Sequence, residues 1–289
     1  MLEHLNAKPE TPQRVVILGA GGFVGSAIAR TLQNQEVPIL PLTRKELDLL
    51  SKDAPAKLRA ILKPMDHLVL VSAVAPAKTV PMLMQNLRMA EAVCAALSEI
   101  EVSHLVYISS DAVYADDANP VNELSPCAPS TLHGMMHAAR ELMLRSSTRA
   151  PLAVLRSTLI YGTGDPHNGY GPNRFCREAA KGGAIQIFGE GEERRDHIYI
   201  DDVAAIASLM LAHRSLGALN AVTGVSTSFR DIAQMIASRL GVDVRSQPRQ
   251  GPRPHLQHRF FDITNSLKAF PTFRHTPLAE GLTQMYRAC

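Results

Sequence analysis

One stretch near the N-terminus constrains the fold more than any other part of the chain. Arg14-Val-Val-Ile-Leu18 is a β-branched run of strand length, and it passes directly into Gly19-Ala-Gly-Gly-Phe-Val-Gly25. Ser26 to Gln33 follows with apolar residues at helical spacing. A buried strand, a glycine turn and a helix in that order open a βαβ unit. Gly19 permits the tight turn, and Gly22 lets the backbone approach a pyrophosphate. The helix N-terminus favours that anion through its free amide N–H groups and its dipole. Gly19, Gly21, Gly22, Phe23, Val24 and Gly25 are therefore assigned to a dinucleotide site. The plainer alternative is a turn that is merely rich in glycine.

The alternation continues along the chain. Strands are predicted over 37–42, 67–72, 104–109 and 152–155, with helices over 51–62, 81–97 and 132–144 between them. This pattern gives a doubly wound α/β fold: a parallel sheet with helices on both faces. Past about residue 162 the pattern changes to a glycine- and proline-rich loop, then helices over 175–182, 203–212 and 229–240 and a strand over 184–188. The predicted division is a dinucleotide-binding Rossmann domain over 14–165, to which 196–225 returns, and a smaller substrate lobe from 166–195 and 226–289.

Composition removes several function classes. The 289 residues carry 30 Lys+Arg and 27 Asp+Glu, a net +3, which is not the footprint of a nucleic-acid binder. No stretch approaches the ~18 uninterrupted apolar residues of a membrane helix, and the charged start does not read as a signal peptide. Cys94, Cys127, Cys176 and Cys289 lie far apart without a CxxC pair, which argues against a disulfide framework. The expectation is a soluble, cytoplasmic chain with no nucleic-acid or membrane partner. The unusual number is 11 histidines.

The end of the second strand bears on the choice of dinucleotide. An acid there would accept the ribose hydroxyls of NAD(H), but this chain has Leu42-Thr-Arg-Lys45. The Arg44 guanidinium suits a 2′-phosphate, so NADP(H) is preferred, while a merely solvated arginine leaves NAD(H) open. Asp48 is placed to accept the adenine amino group. Leu49 and Ala73 complete the cofactor assignment.

Further motifs follow in order: Ser109-Ser-Asp-Ala-Val-Tyr114, Leu155-Arg-Ser-Thr-Leu-Ile-Tyr-Gly162, Phe188-Gly-Glu-Gly191 and Arg195-Asp-His-Ile-Tyr-Ile-Asp-Asp-Val203. Phe261-Asp-Ile-Thr264 through Thr276-Pro-Leu-Ala-Glu-Gly281 closes the series. Over nearly its whole length the chain resembles the extended short-chain dehydrogenase/reductase family of nucleotide-sugar epimerases, dehydratases and reductases. Residues 42–50 look most like its NADP-using reductase branch. The resemblance implies an NAD(P)-dependent oxidoreductase or epimerase acting on a nucleotide-activated sugar. It also implies a homodimer formed through the helices around 81–97 and 132–144.

The family's chemistry uses a Ser or Thr, a Tyr and a Lys. Ser110 matches the first, whose hydroxyl polarises the reacting oxygen. The Tyr and Lys lie four residues apart at the start of a helix, but here the stretch reads His133-Gly-Met-Met-His137-Ala-Ala-Arg-Glu141. Gly134 and Glu141 fit; His133 and His137 stand in the places of Tyr and Lys. Tyrosine, which titrates at about 10, needs the lysine cation beside it, whereas imidazole titrates at about 6.5 unaided. His133 is thus the candidate acid/base, and His137, one turn on, the candidate partner for the nicotinamide ribose. The competing reading is an inactive NADP(H)-binding member of the family with a sensing or partner-binding role. Asp111 is a further candidate proton donor or a turn cap. Because Ala112 follows where dehydratases of the family carry a Glu, a 4,6-dehydratase is disfavoured.

On the substrate side, Arg195 matches the arginine that grips the diphosphate of the sugar nucleotide, its alternative being a partner of Glu192 or Asp196. Asn173 and Arg174 offer phosphate or sugar donors, Phe188 a stacking face, and Arg253, from a basic segment, a further phosphate contact. His255 and His258 have metal-compatible spacing without a third ligand, so no metal site is assigned. His197 is expected at the boundary between the lobes and the remaining histidines on the surface.

Overall fold

The computed structural model describes residues 2–249 and 257–286. The first half runs β1 (Glu3–His4), β2 (Val15–Leu18), α1 (Phe23–Asn34), β3 (Ile39–Leu42), α2 (Ala54–Ile61), β4 (His67–Leu70) and α3 (Val80–Leu97). It continues with β5 (His104–Ser110), a single 3-10 turn (Asp111–Val113), α4 (Leu132–Ser147) and β6 (Leu152–Ser157). The second half holds β7 (Leu159–Tyr161), α5 (Pro172–Ala180), β8 (Ile185–Phe188), β9 (Arg194–Tyr199), α6 (Ile200–Ala212) and β10 (Ser215–Ala221). It ends with β11 (Ser226–Ser228), α7 (Phe229–Leu240), β12 (Val244–Gln247), α8 (Thr264–Ala269) and α9 (Leu278–Tyr286).

The main sheet has seven strands in the order β1-β10-β6-β5-β4-β2-β3. All pairs are parallel except the edge pair of β1 with β10. Strands covered on both faces favour apolar residues at successive positions, which explains the runs Val15–Leu18 and Leu105–Ile108. Val15 and Ile17 point into the core shared with α1 and α6, whereas Val16 and Leu18 point into the core shared with α2, α3 and α4. The sheet is therefore sandwiched between two helical layers. Smaller sheets, β11-β9-β7 and β12-β8, form the second lobe with α5 and α7. Within 196–225, β10 is a strand of the main sheet and α6 packs on it, whereas β9 pairs with β7 and β11.

The chain leaves β2 toward β3 on one side and later places β4 on the other side of β2. Carboxyl ends of strands at such a switch point open a crevice between diverging loops, and the site lies there.

The surface expectation for the remaining histidines is corrected at His67 and His104, which are buried at the starts of β4 and β5. The two are register partners on adjacent strands, with ring centres 5.3 Å apart. His104 Nε2 donates to the Ser215 carbonyl on β10 at 2.6 Å. His4 of β1 bonds the Ser215 hydroxyl at 2.9 Å and stacks on His213 at 4.4 Å. A polar edge strand thus seals this end of the sheet, although the sequence gives a two-residue strand no periodicity to reveal it.

Candidate active site

A cleft of about 910 Å³ opens at the carboxyl ends of β2, β4 and β5. Its walls bring together Gly19, Gly21, Gly22, Phe23, Val24, Arg44, Asp48, Leu49, Ala73, Ser110, Asp111, His133 and His137. Residues 100 positions apart in the chain meet here because strand ends converge. Gly19 has φ +94°, and a Cβ there would lie 2.7 Å from the Ser72 amide nitrogen, so only glycine lets the two loops touch. Helix α1 starts at Gly22 with no side-chain cap and no acid in its first turn. Its first amides remain available to an anion, which fits the phosphate reading. Gly25 does not line the cleft. A Cβ on it would lie 2.1 Å from the Gly19 carbonyl oxygen, so Gly25 lets α1 pack on the turn instead of meeting a ligand.

At the rim, Arg44 is 79% exposed and its Nε lies 3.2 Å from Asp48 Oδ2. Asp48 Oδ1 also accepts from the Leu50 amide at 3.0 Å. The aspartate therefore steadies both the arginine and the loop after β3, and its carboxylate is engaged without a ligand.

Ser110 ends β5, and its hydroxyl accepts from the Ala112 amide at 3.2 Å while facing Asp111 Oδ1 at 3.4 Å. Thr131 caps α4 by accepting from the Gly134 amide at 3.1 Å, placing His133 and His137 in its first turns. Gly134 is required because a Cβ there would lie 2.0 Å from the Ala112 carbonyl oxygen. The helix can come this close to the Ser110 turn only without that atom. Behind it, Glu141 takes a two-pronged ion pair from Arg156 and a 2.6 Å bond from the Ser109 hydroxyl, tying α4 to β5 and β6.

The two imidazoles meet edge to face, with ring centres 4.7 Å apart and an interplanar angle of 87°. Burial, and then the neighbouring His167, lowers the pKa of His133 below the ordinary imidazole value. Burial, His133 and Arg140 hold His137 well below it. Both rings are therefore neutral at pH 7. The Ala77 amide approaches His133 Nδ1 at 3.4 Å. Asp111 is shifted the other way: burial raises its pKa, partly offset by Arg259 and Arg195.

The substrate-side candidates lie outside the walls of this cleft. Asn173 is buried, donating to Asp165 at 2.6 Å and accepting from the Gly162 amide at 3.1 Å. It braces the loop before α5, and its carboxamide is committed there. Arg174 pairs with Glu178 at 2.7 Å and lies over the rings of Tyr170 and Phe188. Phe188 in turn packs on Tyr170 at 4.9 Å. Arg195 lies 3.7 Å from Glu193 and in the field of Asp111. Asp196 accepts from Thr223 and Gly224 and holds the loop after β10. His197 packs on Phe229 at 5.6 Å. Arg253 lies outside the described residues.

Sequence reasoning passed over Arg259, which is buried and donates to the carbonyls of Asp111 (3.0 Å) and Ala115 (2.7 Å). Its place in a basic stretch gave it no distinction from its neighbours; only the long return of the chain to the Ser110 turn singles it out. Among the described residues no three His, Cys, Asp or Glu side chains are grouped to hold a metal ion, and no helix is long and apolar enough to cross a membrane.

Residues 15–222 match the sequence profile of the NAD dependent epimerase/dehydratase family. GDP-L-fucose synthase of Escherichia coli (strain K12) is 26% identical over 314 residues, covering 95% of this chain and 96% of that protein. The fold is shared with UDP-glucose 4-epimerase of Thermotoga maritima, solved with UDP-glucose (TM-score 0.85, 19% identity, 95% and 98% of the two chains). It is shared equally with a GDP-mannoheptose C4 reductase of Campylobacter jejuni with NADP bound (TM-score 0.81, 21% identity, 96% and 98%).

Proposed function

The chain belongs to the NAD dependent epimerase/dehydratase family, and from that premise we propose that it is an NADP(H)-preferring oxidoreductase or epimerase of nucleotide-activated sugars in which imidazoles stand in for the usual phenol and amine. One observation carries the reading: Ser110, His133 and His137 converge on the same cleft as the phosphate-ready glycine turn.

When bound, the nicotinamide exchanges a hydride with a substrate carbon. The glycine turn and the start of α1 hold the pyrophosphate, and Arg44, largely exposed at the rim, meets the 2′-phosphate. Ser110 donates its hydroxyl to the reacting oxygen. His133 moves the proton on that oxygen: it takes one in the oxidative direction and gives one in the reductive direction. Its lowered pKa leaves the neutral base as the resting form at pH 7. Asp111, raised by burial, is the second candidate for carrying a proton. Arg195, in the field of Asp111, supports a diphosphate contact just beyond the cleft. The loss of the Tyr–Lys pair favours the rival, a cofactor-binding protein without turnover.

A second copy of the chain fits against α3 and α4. These helices pack on each other and expose Val80, Met84, Met135 and Leu142 on their outer faces.

Calorimetric titration tests the cofactor assignment. Arg44→Ala is expected to weaken NADPH binding about tenfold and to leave NADH nearly unchanged. Equal losses for the two would remove Arg44 as the 2′-phosphate contact.

A further inference from the structure

Behind the paired imidazoles, in the interior beneath the cleft wall, lie two buried side chains that no motif singles out. Tyr107, buried on β5, places its hydroxyl 2.7 Å from Nδ1 of His137. Among the described residues that nitrogen is the one partner the hydroxyl has. Burial pushes the phenol up to about 12, so it keeps its proton. A buried O–H left without an acceptor is costly, so the phenol donates and Nδ1 accepts. A neutral imidazole that accepts at Nδ1 carries its hydrogen on Nε2.

Arg140 follows His137 by three residues on α4 and is only 1% exposed. Its guanidinium carbon lies 5.2 Å from the centre of the Tyr107 ring, and Nη2 donates to the Ser72 carbonyl at 2.8 Å. Ser72 belongs to the loop after β4 that walls the cleft. Among the described residues no carboxylate pairs with this guanidinium, so a fixed, uncompensated cation lies behind the phenol. The arginine clamps the tyrosine ring by its face, and the tyrosine clamps the imidazole by its nitrogen.

We propose that Tyr107 and Arg140 are positioning residues that present His137 as a neutral donor, through Nε2–H, to the sugar of a bound dinucleotide. This rests on the cofactor reading given above. The groups facing His137 are His133 and Arg140 from its own helix and Tyr107 from the sheet. Any imidazolium at this position would meet repulsion from a cation in a buried surround, and the one acid a turn away, Glu141, is already committed to Arg156 and the Ser109 hydroxyl. His137 therefore does not imitate the charge of a lysine; it keeps only the hydrogen bond. This device differs from an ammonium because it supplies the donor without bringing a second cation beside Arg140.

The test uses the whole chain labelled with 15N-histidine and read by long-range 1H–15N spectra without ligand, with His137→Gln to assign the resonances. Expected for the unaltered protein is a single Nε2–H tautomer of His137 that does not titrate through neutrality. In Tyr107→Phe that tautomer becomes a mixture, and NADPH binding weakens about fivefold while the fold is retained. An Nδ1–H tautomer in the unaltered protein, or an unchanged tautomer in Tyr107→Phe, overturns the inference. The spectra need no turnover, so failure to catalyse would sink the proposed function while leaving the tautomer result to decide this question.

Discussion

His133 and His137 occupy one face of α4, and their environment decides what each can do. His133 is half-buried beside the Ser110 turn, with its pKa lowered and only a long bond, from the Ala77 amide, on its Nδ1. His137 is locked from below. If His133 is the base, the oxidative rate rises with pH through an apparent pKa below about 6.5 and then levels off, because the neutral form is the active one. A rate that climbs only at the alkaline end, as a phenol would require, contradicts this assignment. Replacing His137 by Lys introduces an ammonium next to the unpaired guanidinium of Arg140. The expected outcome is a loss of stability on the order of 3 kcal/mol, read by chemical denaturation. An unchanged midpoint would mean that Arg140 is better compensated than its contacts indicate. The sequence displayed both imidazoles and the motif around them. It could not display Tyr107 and Arg140 as partners, because one reads as a strand residue and the other as a helix cation. Their meeting depends on how α4 lies across β5.

At the scale of elements, the site depends on close approaches that glycine allows. Gly134→Ala puts a methyl group against the Ala112 carbonyl and pushes the start of α4 off the Ser110 turn. About 2 kcal/mol of stability and most of kcat are expected to go, with a loss of NADPH affinity of only about fivefold, because His137 moves with the helix while the phosphate turn is untouched. Steady-state kinetics alongside calorimetry checks this, and a variant with full kcat would show that the helix position is not critical. The outer faces of α3 and α4 carry their own test. Met84→Glu combined with Leu142→Glu is expected to yield monomers by light scattering if these helices join two copies. Strands such as β2 and β5 were legible because a strand covered on both sides carries an apolar run, here Val15–Leu18 and Leu105–Ile108. The pair of β1 with β10 was not, because it is held by histidine and serine hydrogen bonds across more than 200 residues. Arg259 stayed hidden for the same reason: its neighbours on the Ser110 turn are remote in sequence.

Across the whole molecule, buried histidines link stability to acidity. Burial lowers His67 to about 4, His104 to about 3 and His197 to about 4. In the unfolded chain each titrates at about 6.5, so between that value and the folded one the unfolded state binds more protons. Stability is therefore complete above about pH 6.5 and declines as pH falls toward about 4, by on the order of 3 kcal/mol for each fully shifted group. Urea midpoints across this window check the sign, and a protein that gains stability on acidification would contradict the burial of these rings. The doubly wound architecture itself was readable from the alternation of strands and helices. The direction in which the second lobe presents Arg174 and Phe188 was not, since the guanidinium meets that ring only once α5 and β8 have packed together.

The proposal that imidazole chemistry serves hydride exchange on a nucleotide-activated sugar is tested most directly by isotope transfer. NADPH carrying deuterium at C4 is incubated with the protein and a panel of nucleotide-activated keto sugars, and the products are weighed by mass spectrometry. One deuterium is expected in the product of a panel member, falling more than about a hundredfold in His133→Phe while that variant still binds cofactor. Tight binding of both NADPH and sugar nucleotide with no deuterium transferred to any of them would contradict it.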